Sequence, residues 1–361
     1  MSTTFSTHGS HPMASLRIVH LSLFTLFASG VLAAADRAAV PAPQSDKDQD
    51  RSQKASERER REVLGQRVGR YDVRGTLDAS LGYGDRPAPV AMSGVHEAEL
   101  LFGGKLVLER TSTKVAGALS ATEGWSLLCL RPDQKQYWNL SFNSDRTPFS
   151  YMFGYVVDGQ LQLRDPNGAV YSYTSSADDG QWLTTYGLTS AKRPLFELEM
   201  SPDKANQARV ELVAAMRRLP LVPKERNVNR KDQDAAKRWH DEHELLAQFA
   251  GDFVDAKDRL RVGARVVCAG RFLLWVLAED GVVVEVWATG FDGPSKQFAH
   301  WRVTADEQVP RYFRGAFKKD KLTFEAYKDR GRLTFDASKD GRLDVKRSGS
   351  AGVGRLKLKR E

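Results

Sequence analysis

Leu64-Gly-Gln66-Arg-Val-Gly69-Arg-Tyr71 returns, 182 positions further along, as Leu246-Ala-Gln248-Phe-Ala-Gly251-Asp-Phe253. Leucine, glutamine, glycine and an aromatic residue keep one spacing in both stretches. Downstream, Phe102-Gly-Gly104-Lys105-Leu106-Val107 matches Cys268-Ala-Gly270-Arg271-Phe272-Leu273. From Lys135-Gln136-Tyr137 and Lys296-Gln297-Phe298 onward an offset of 161 pairs Asp145 with Asp306, Tyr151 with Tyr312, Gly154 with Gly315 and Leu161 with Leu322. The same offset reaches Asp179-Gly180 and Asp340-Gly341. The shared order of features reads as an internal duplication.

Within each copy the hydrophobic period is that of strands. Tyr71, Val73, Gly75 and Leu77 alternate with Arg70, Asp72, Arg74 and Thr76, as in a strand with one buried face. Leu106 to Thr113, Trp125 to Arg131, Leu161 to Arg164, Arg271 to Leu277, Val282 to Ala288 and Lys321 to Tyr327 are likewise alternating or rich in β-formers. Asp158-Gly159, Asp179-Gly180, Asp280-Gly281, Asp292-Gly293 and Asp340-Gly341 separate several of these runs and favour hairpins over crossover helices. The expected fold is all-β, each copy a meandering antiparallel sheet that removes its edges by closing into a barrel. A short helix is expected before each, from the charged run at Ser56 to Leu64, and from Ala235, Trp239, Leu246 and Phe249 on one face.

The chain has 361 residues, 54 Lys+Arg against 46 Asp+Glu, a net charge of +8, 41% hydrophobic residues and two cysteines. That composition excludes collagen-like, disulfide-scaffold and multi-spanning membrane classes. Arg17, the apolar run Ile18 to Leu32 and Ala33-Ala34-Ala35 follow the order of a secretory signal peptide, so residues 1–35 are expected to be removed and the protein exported, periplasmic or extracellular. His20, Ser22, Thr25, Ser29 and Gly30 dilute a run already short for a membrane span. Cleavage takes away one charge, Arg17, leaving +7 and no transmembrane span in the mature chain. Residues 36–55 read as a disordered leader, 56–218 as the first barrel domain, 219–240 as a charged linker with Pro220 and Pro223, and 241–361 as the second domain.

The order Gly251-Asp-Phe253, Cys268-Ala-Gly270-Arg271-Phe272-Leu273, Gly290-Phe291-Asp292 and Gln297-Phe-Ala-His-Trp301 resembles the bacterial secreted proteins of domain-of-unknown-function family 1579. The resemblance covers about residues 241–361, and 58–218 more weakly. It implies a lipocalin-like barrel for each copy and no catalytic residues that could be carried over. The first copy departs from it, with Leu130-Arg131-Pro132 where the second has Phe291-Asp292-Gly293.

Few residues invite a chemical role. His240 and His243 stand three apart with no third ligand at zinc spacing, and a solvated helix start explains them. His300 is expected to face outward, because its aligned neighbours Tyr137, Asn139 and Ser141 are polar or amphipathic while Trp138, Leu140 and Phe142 are apolar. Trp301, with Ala299 and Val303, is then expected inside. Glu285 reads as a mouth or outer-face carboxylate, a buried general acid being the alternative. Cys129 and Cys268 lie in apolar runs, with a disulfide between them left open. Arg355, Lys357 and Lys359 share one strand face and, with Lys318, Lys319 and Lys321, offer a cationic patch to an anionic envelope polymer or lipid headgroups. Export disfavours nucleic acid as a partner. No catalytic residue, metal site or cofactor is called. The favoured reading is a binding or structural module that encloses a small apolar or amphipathic ligand against Trp125, Trp138, Trp287 and Trp301. An enzyme of unknown chemistry is the runner-up.

Overall fold

The computed structural model describes residues 58–361 except 61, 78–88, 118–120, 132–134, 145–148, 166–168, 176–180, 189–195, 204–209, 222–241, 294, 308, 319, 328–329, 339 and 352–353. The expectations for the signal peptide, the leader, the charged linker beyond Leu221, Ala235 and Trp239 of the second helix, Asp145, Asp179-Gly180, Lys319 and His240 fall outside the described residues.

Strands β1 (Gly69–Leu77), β2 (Val90–Leu101), β3 (Leu106–Val115), β4 (Thr122–Arg131), β5 (Gln136–Asn143), β6 (Ser150–Val157), β7 (Gln160–Arg164), β8 (Ala169–Ser175), β9 (Trp182–Leu188) and β10 (Phe196–Pro202) form one closed barrel. Each pairs antiparallel with the next, and β1 closes on β10 with Tyr71 opposite Pro202 and Leu77 opposite Phe196. The second barrel repeats this with β11 (Gly251–Asp255), β12 (Leu260–Val267), β13 (Phe272–Glu279), β14 (Val282–Asp292), β15 (Gln297–Thr304), β16 (Arg311–Lys318), β17 (Lys321–Ala326), β18 (Arg332–Ala337), β19 (Arg342–Ser348) and β20 (Gly354–Arg360). Ten strands, not the eight of a lipocalin, surround each lumen. Helical residues at 58–60 and 62–65 (α1) precede the first barrel. Helix α2 (Leu212–Arg218) follows it, and α3 (Glu242–Leu246) runs through a 3-10 turn, Ala247–Phe249, into the second.

The local chemistry explains the register. Asp158 and Gly159 join β6 to β7 with φ of 51° and 77°, and Asp280 and Gly281 join β13 to β14 with 49° and 84°. Positive φ at both centres is what a two-residue hairpin of right-handed twist requires. The offset of 161 pairs equivalent positions: Gly154 and Gly315 both sit on the sixth strand of their barrel. A Cβ there would come within 1.7 Å of the Gln162 carbonyl oxygen and 2.2 Å of that of Thr323. Only glycine permits that approach.

Three apolar cores result. One fills the first barrel, with Tyr71, Val73, Leu77, Met92, Leu128, Leu161, Phe196 and Leu198 among its members. Another fills the second, with Phe253, Trp275, Trp287, Phe313, Phe324 and Phe335. The third lies between the barrels: Leu108, Trp125, Leu127, Trp138, Leu140 and Phe142 from β3–β5 meet Phe272, Leu274, Val276, Val286, Ala288, Trp301 and Val303 from β13–β15. Leu212 and Met216 of α2 are buried in the same core. The turns Phe102-Gly103-Gly104 and Cys268-Ala269-Gly270 have positive φ at all three residues and bring Phe102 and Cys268 into it.

This third core corrects the assignment of faces. Trp138, Leu140 and Phe142 do share a face with Ala299, Trp301 and Val303, as the alignment implies, but that face is the outside of each barrel. An apolar row signals burial without saying which side is buried. Here the outer side is buried by the other barrel, and polar residues turn inward.

Candidate functional site

The two lumens differ in what fills them. In the second, aromatic rings from five elements converge on Phe335. Its centroid lies 5.4 Å from Trp275, 5.7 Å from Trp287, 5.4 Å from His300, 5.8 Å from Phe324 and 6.3 Å from Phe249. The mouth is closed by charge. Arg302 donates from Nε and Nη2 to the two Glu285 oxygens, each at 2.9 Å, and Arg347 adds bonds of 3.0 and 3.3 Å. Trp287 Nε1 donates to Glu285 Oε2 at 2.6 Å, and Arg302 Nη1 reaches the Ala351 carbonyl at 3.0 Å. Burial pushes the Glu285 pKa up, but the Arg302 hydrogen bonds and the Arg347 charge outweigh it and hold the carboxyl below its ordinary range. A general acid needs the opposite shift. Glu285 faces inward at a mouth, one of the two expected places; the outer face and the general-acid role are corrected.

His300 is also corrected: it is fully buried inside the second barrel. Its Nδ1 lies 2.9 Å from Thr289 Oγ1, itself the acceptor for Trp275 Nε1 at 3.2 Å. The expectation failed because inward polarity was read as exposure. His243 is buried too, edge-on to Phe291 with centroids 5.9 Å apart, so the solvated reading of that residue does not hold.

The first barrel holds a polar cluster on part of its inner wall. α1 covers the end where β1 begins, with Leu64 buried in the barrel core. Just past α1, Arg67 crosses into the lumen and donates from Nε to Glu109 Oε1 at 2.6 Å, its guanidinium 4.0 Å from the Tyr173 ring centre and 4.5 Å from Trp182. Ser126 donates to the other Glu109 oxygen. His96 sits beside them, Nδ1 3.0 Å from Thr111 Oγ1 and Nε2 4.0 Å from Glu109. Burial opposes the Glu109 charge, yet Arg67 and Ser126 keep its pKa below the usual range. Arg67 Nη1, His96 Nε2, Asn139 Oδ1 and Thr184 Oγ1 are buried without a hydrogen-bond partner.

Above this floor the wall is small and polar. Thr111 pairs with Gly124, and Ser126 with Ser141, across β3, β4 and β5. These four positions are partly exposed, whereas the outward Trp125, Leu127, Trp138 and Leu140 between them are buried by the other barrel. The accessible side is therefore the lumen. Leu77, Met92, Val115, Met152 and Phe196 are buried in the apolar core of the same barrel.

Both inward histidines are held neutral. Burial lowers His96 from 6.5 to about 4, Glu109 opposing and Arg67 adding to the fall; burial with Arg302 and Arg347 lowers His300 to about 3. As pH drops through 6.5 the unfolded chain binds protons that the folded chain refuses, so stability falls until about pH 4 for His96 and pH 3 for His300. The slope approaches about 1.4 kcal/mol per unit for each. The loss of urea midpoint between pH 7 and pH 4.5 should be smaller for His300→Phe than for the parent chain. Equal losses would remove this account.

Of the four tryptophans named from sequence, Trp125, Trp138 and Trp301 lie in the inter-barrel core and Trp287 inside the second barrel. None faces the polar wall of the first barrel. Arg67, His96, Glu109, Thr111, Ser126 and Ser141 were missed. For Glu109, Ser126 and Ser141 the signal was the polar residue at alternate positions of strands whose other face is rich in apolar residues; Arg67, in a turn, and His96, on a strand with a polar outer face, carried no such signal. Cys129 and Cys268 are buried thiols not joined in a disulfide, and burial pushes Cys129 up to about 12. On the basic strand β20 Arg355 pairs with Asp344, and on β17 Lys321 pairs with Asp336 at 2.7 Å. Among the described residues no helix is long and apolar enough to cross a membrane.

Comparison with known proteins adds little. No protein-family model matches the chain, and no curated protein matches it. Among solved structures it is similar to a beta-barrel-like protein of domain of unknown function DUF1849 from Brucella abortus, at 10% identity and a TM-score of 0.15, over 81% of this chain and 95% of that one. A likeness of that size carries no functional weight.

Proposed function

We propose that this is an exported, non-catalytic binding module, akin to the secreted family 1579, whose first barrel is a cup for a small amphipathic ligand and whose second barrel is its filled support. The observation that carries the reading is the partly exposed inner wall Thr111, Gly124, Ser126 and Ser141 behind a buried outer face. Hydroxyls on that wall would take the polar end of a ligand, and Leu77, Met92 and Phe196 its apolar body. The paired Arg67 and Glu109 leave the floor near neutral, which favours an uncharged polar group over an ion. The lowered pKa of Glu285 weighs against its acting as a general acid at neutral pH. The pairing of Arg355 with Asp344 removes one cation from the patch that an anionic envelope polymer or lipid headgroup would use.

A fluorescent apolar probe should bind the purified chain saturably. Ser141→Phe, which fills the cup from its wall, should abolish that binding while circular dichroism stays unchanged. Undiminished binding by a folded Ser141→Phe protein would reject the cup as the site.

A further inference from the structure

A row of aromatic rings crosses the outside of the molecule where the barrels meet, away from both lumens. Tyr151 of β6 stacks on Trp301 of β15, centroids 5.3 Å apart and planes at 15°. Trp301 lies 4.6 Å from Tyr312 of β16, which lies 6.2 Å from Tyr327; on the other side Phe153 is 6.5 Å from Tyr151. The ends of the row are open to solvent: Phe153 is 38% exposed, Tyr155 49% and Tyr327 43%. At its centre Trp301 Nε1 is buried without an acceptor. Contiguous exposed apolar patches mark binding surfaces.

The flanking residues select the occupant. Gln136 donates its amide to the Tyr155 hydroxyl at 3.1 Å, and Gln160 and Gln162 stand opposite Val157 and Tyr155 on β7. Arg164 stands opposite Phe153, and Arg314 lies over Tyr312 and Tyr327 at 5.5 and 5.3 Å. Arg314 Nε donates to the Tyr312 hydroxyl at 3.1 Å, and lipid chains would leave the Gln160 and Gln162 amides and the Arg164 guanidinium unsatisfied. A nucleic acid strand needs a groove of unopposed cations, yet Glu325 is the cross-strand partner of Arg314, and the Asp292 charge acts on the same guanidinium. Sugar rings offer apolar C–H faces for the aromatic rings and equatorial hydroxyls for the amides and guanidiniums.

We propose that this seam binds a polysaccharide strand laid across both barrels, with Phe153 and Tyr155 at one end and Tyr327 at the other. The site is separate from the cup and does not depend on it. The test titrates the full chain with soluble hexasaccharides of glucose and of N-acetylglucosamine, followed by calorimetry and tryptophan fluorescence. At least one should bind saturably. Phe153→Ala and Tyr327→Ala, exposed positions on different barrels that fold without risk to either core, should each weaken it about tenfold or more. Ser141→Phe should leave it unchanged. Failure of both sugars to bind overturns the proposal, as does binding that survives both alanine variants. Binding of single-stranded DNA or anionic vesicles that depends on Phe153 overturns the choice of occupant and with it the proposal.

Discussion

Glu285→Ala should destabilise the chain by about 3–5 kcal/mol, because it leaves Arg302 and Arg347 facing each other in a closed mouth with their shared acceptor gone. Arg347 already sits below its usual pKa, burial and the Arg302 charge outweighing the pull of Glu285. Removing the carboxylate strips away that pull. Glu285→Gln keeps one acceptor and loses the charge, so its effect should be intermediate. The sign of the pH dependence follows from the lowered carboxyl pKa. The contribution of Glu285 is complete above its ordinary value of 4.5 and is lost as pH falls below it through the folded value. The gap between parent and Glu285→Gln in urea midpoint should therefore be wide at pH 7 and close toward pH 3. A gap that stays constant, or an alanine variant as stable as the parent, would show that the two arginines do not depend on this group.

Trp138→Ala should cost about 3–5 kcal/mol as a cavity in the inter-barrel core. Its more telling effect concerns cooperativity. Trp138 packs on an outer face, so its loss loosens the joint and leaves both lumens intact. Urea unfolding is expected to split into two transitions, one per barrel, where the parent shows coupled unfolding. The folded variant should still take up the apolar probe in the cup. One sharp transition at the parent midpoint would mean that the third core does not couple the barrels, and lost probe binding would place Trp138 in the ligand site after all.

Much of the architecture was legible in the sequence. Alternation in Tyr71 to Leu77, the Asp-Gly turns at Asp158 and Asp280, and the repeated Gly154 and Gly315 all encode local geometry, and each occupies its expected place. What alternation cannot encode is the side of a wall that faces solvent. β5 and β15 carry apolar outer rows because another barrel covers them, a fact located in residues more than a hundred positions away. Glu285 was expected at a mouth or on the outer face, and its pairing was hidden for a related reason. Its partners Arg302 and Arg347 lie 17 and 62 residues further on, and nothing local announces the pairing. The cup was least legible, since Ser126 and Ser141 look like ordinary outward polar positions until the tryptophans beside them are known to be covered.

The joint between the barrels also changes how the protein responds to dilution. The third to fifth strands of one barrel meet the same strands of the other, the arrangement by which two identical subunits form a self-complementary pair. A pair of separate subunits would fall apart as its concentration dropped. Joined in one chain, the halves meet at an effective concentration on the order of millimolar, so the joint persists at any expression level. Identity between the halves is then no longer required by symmetry, and one could pack its interior solid while its twin kept a wall of hydroxyls.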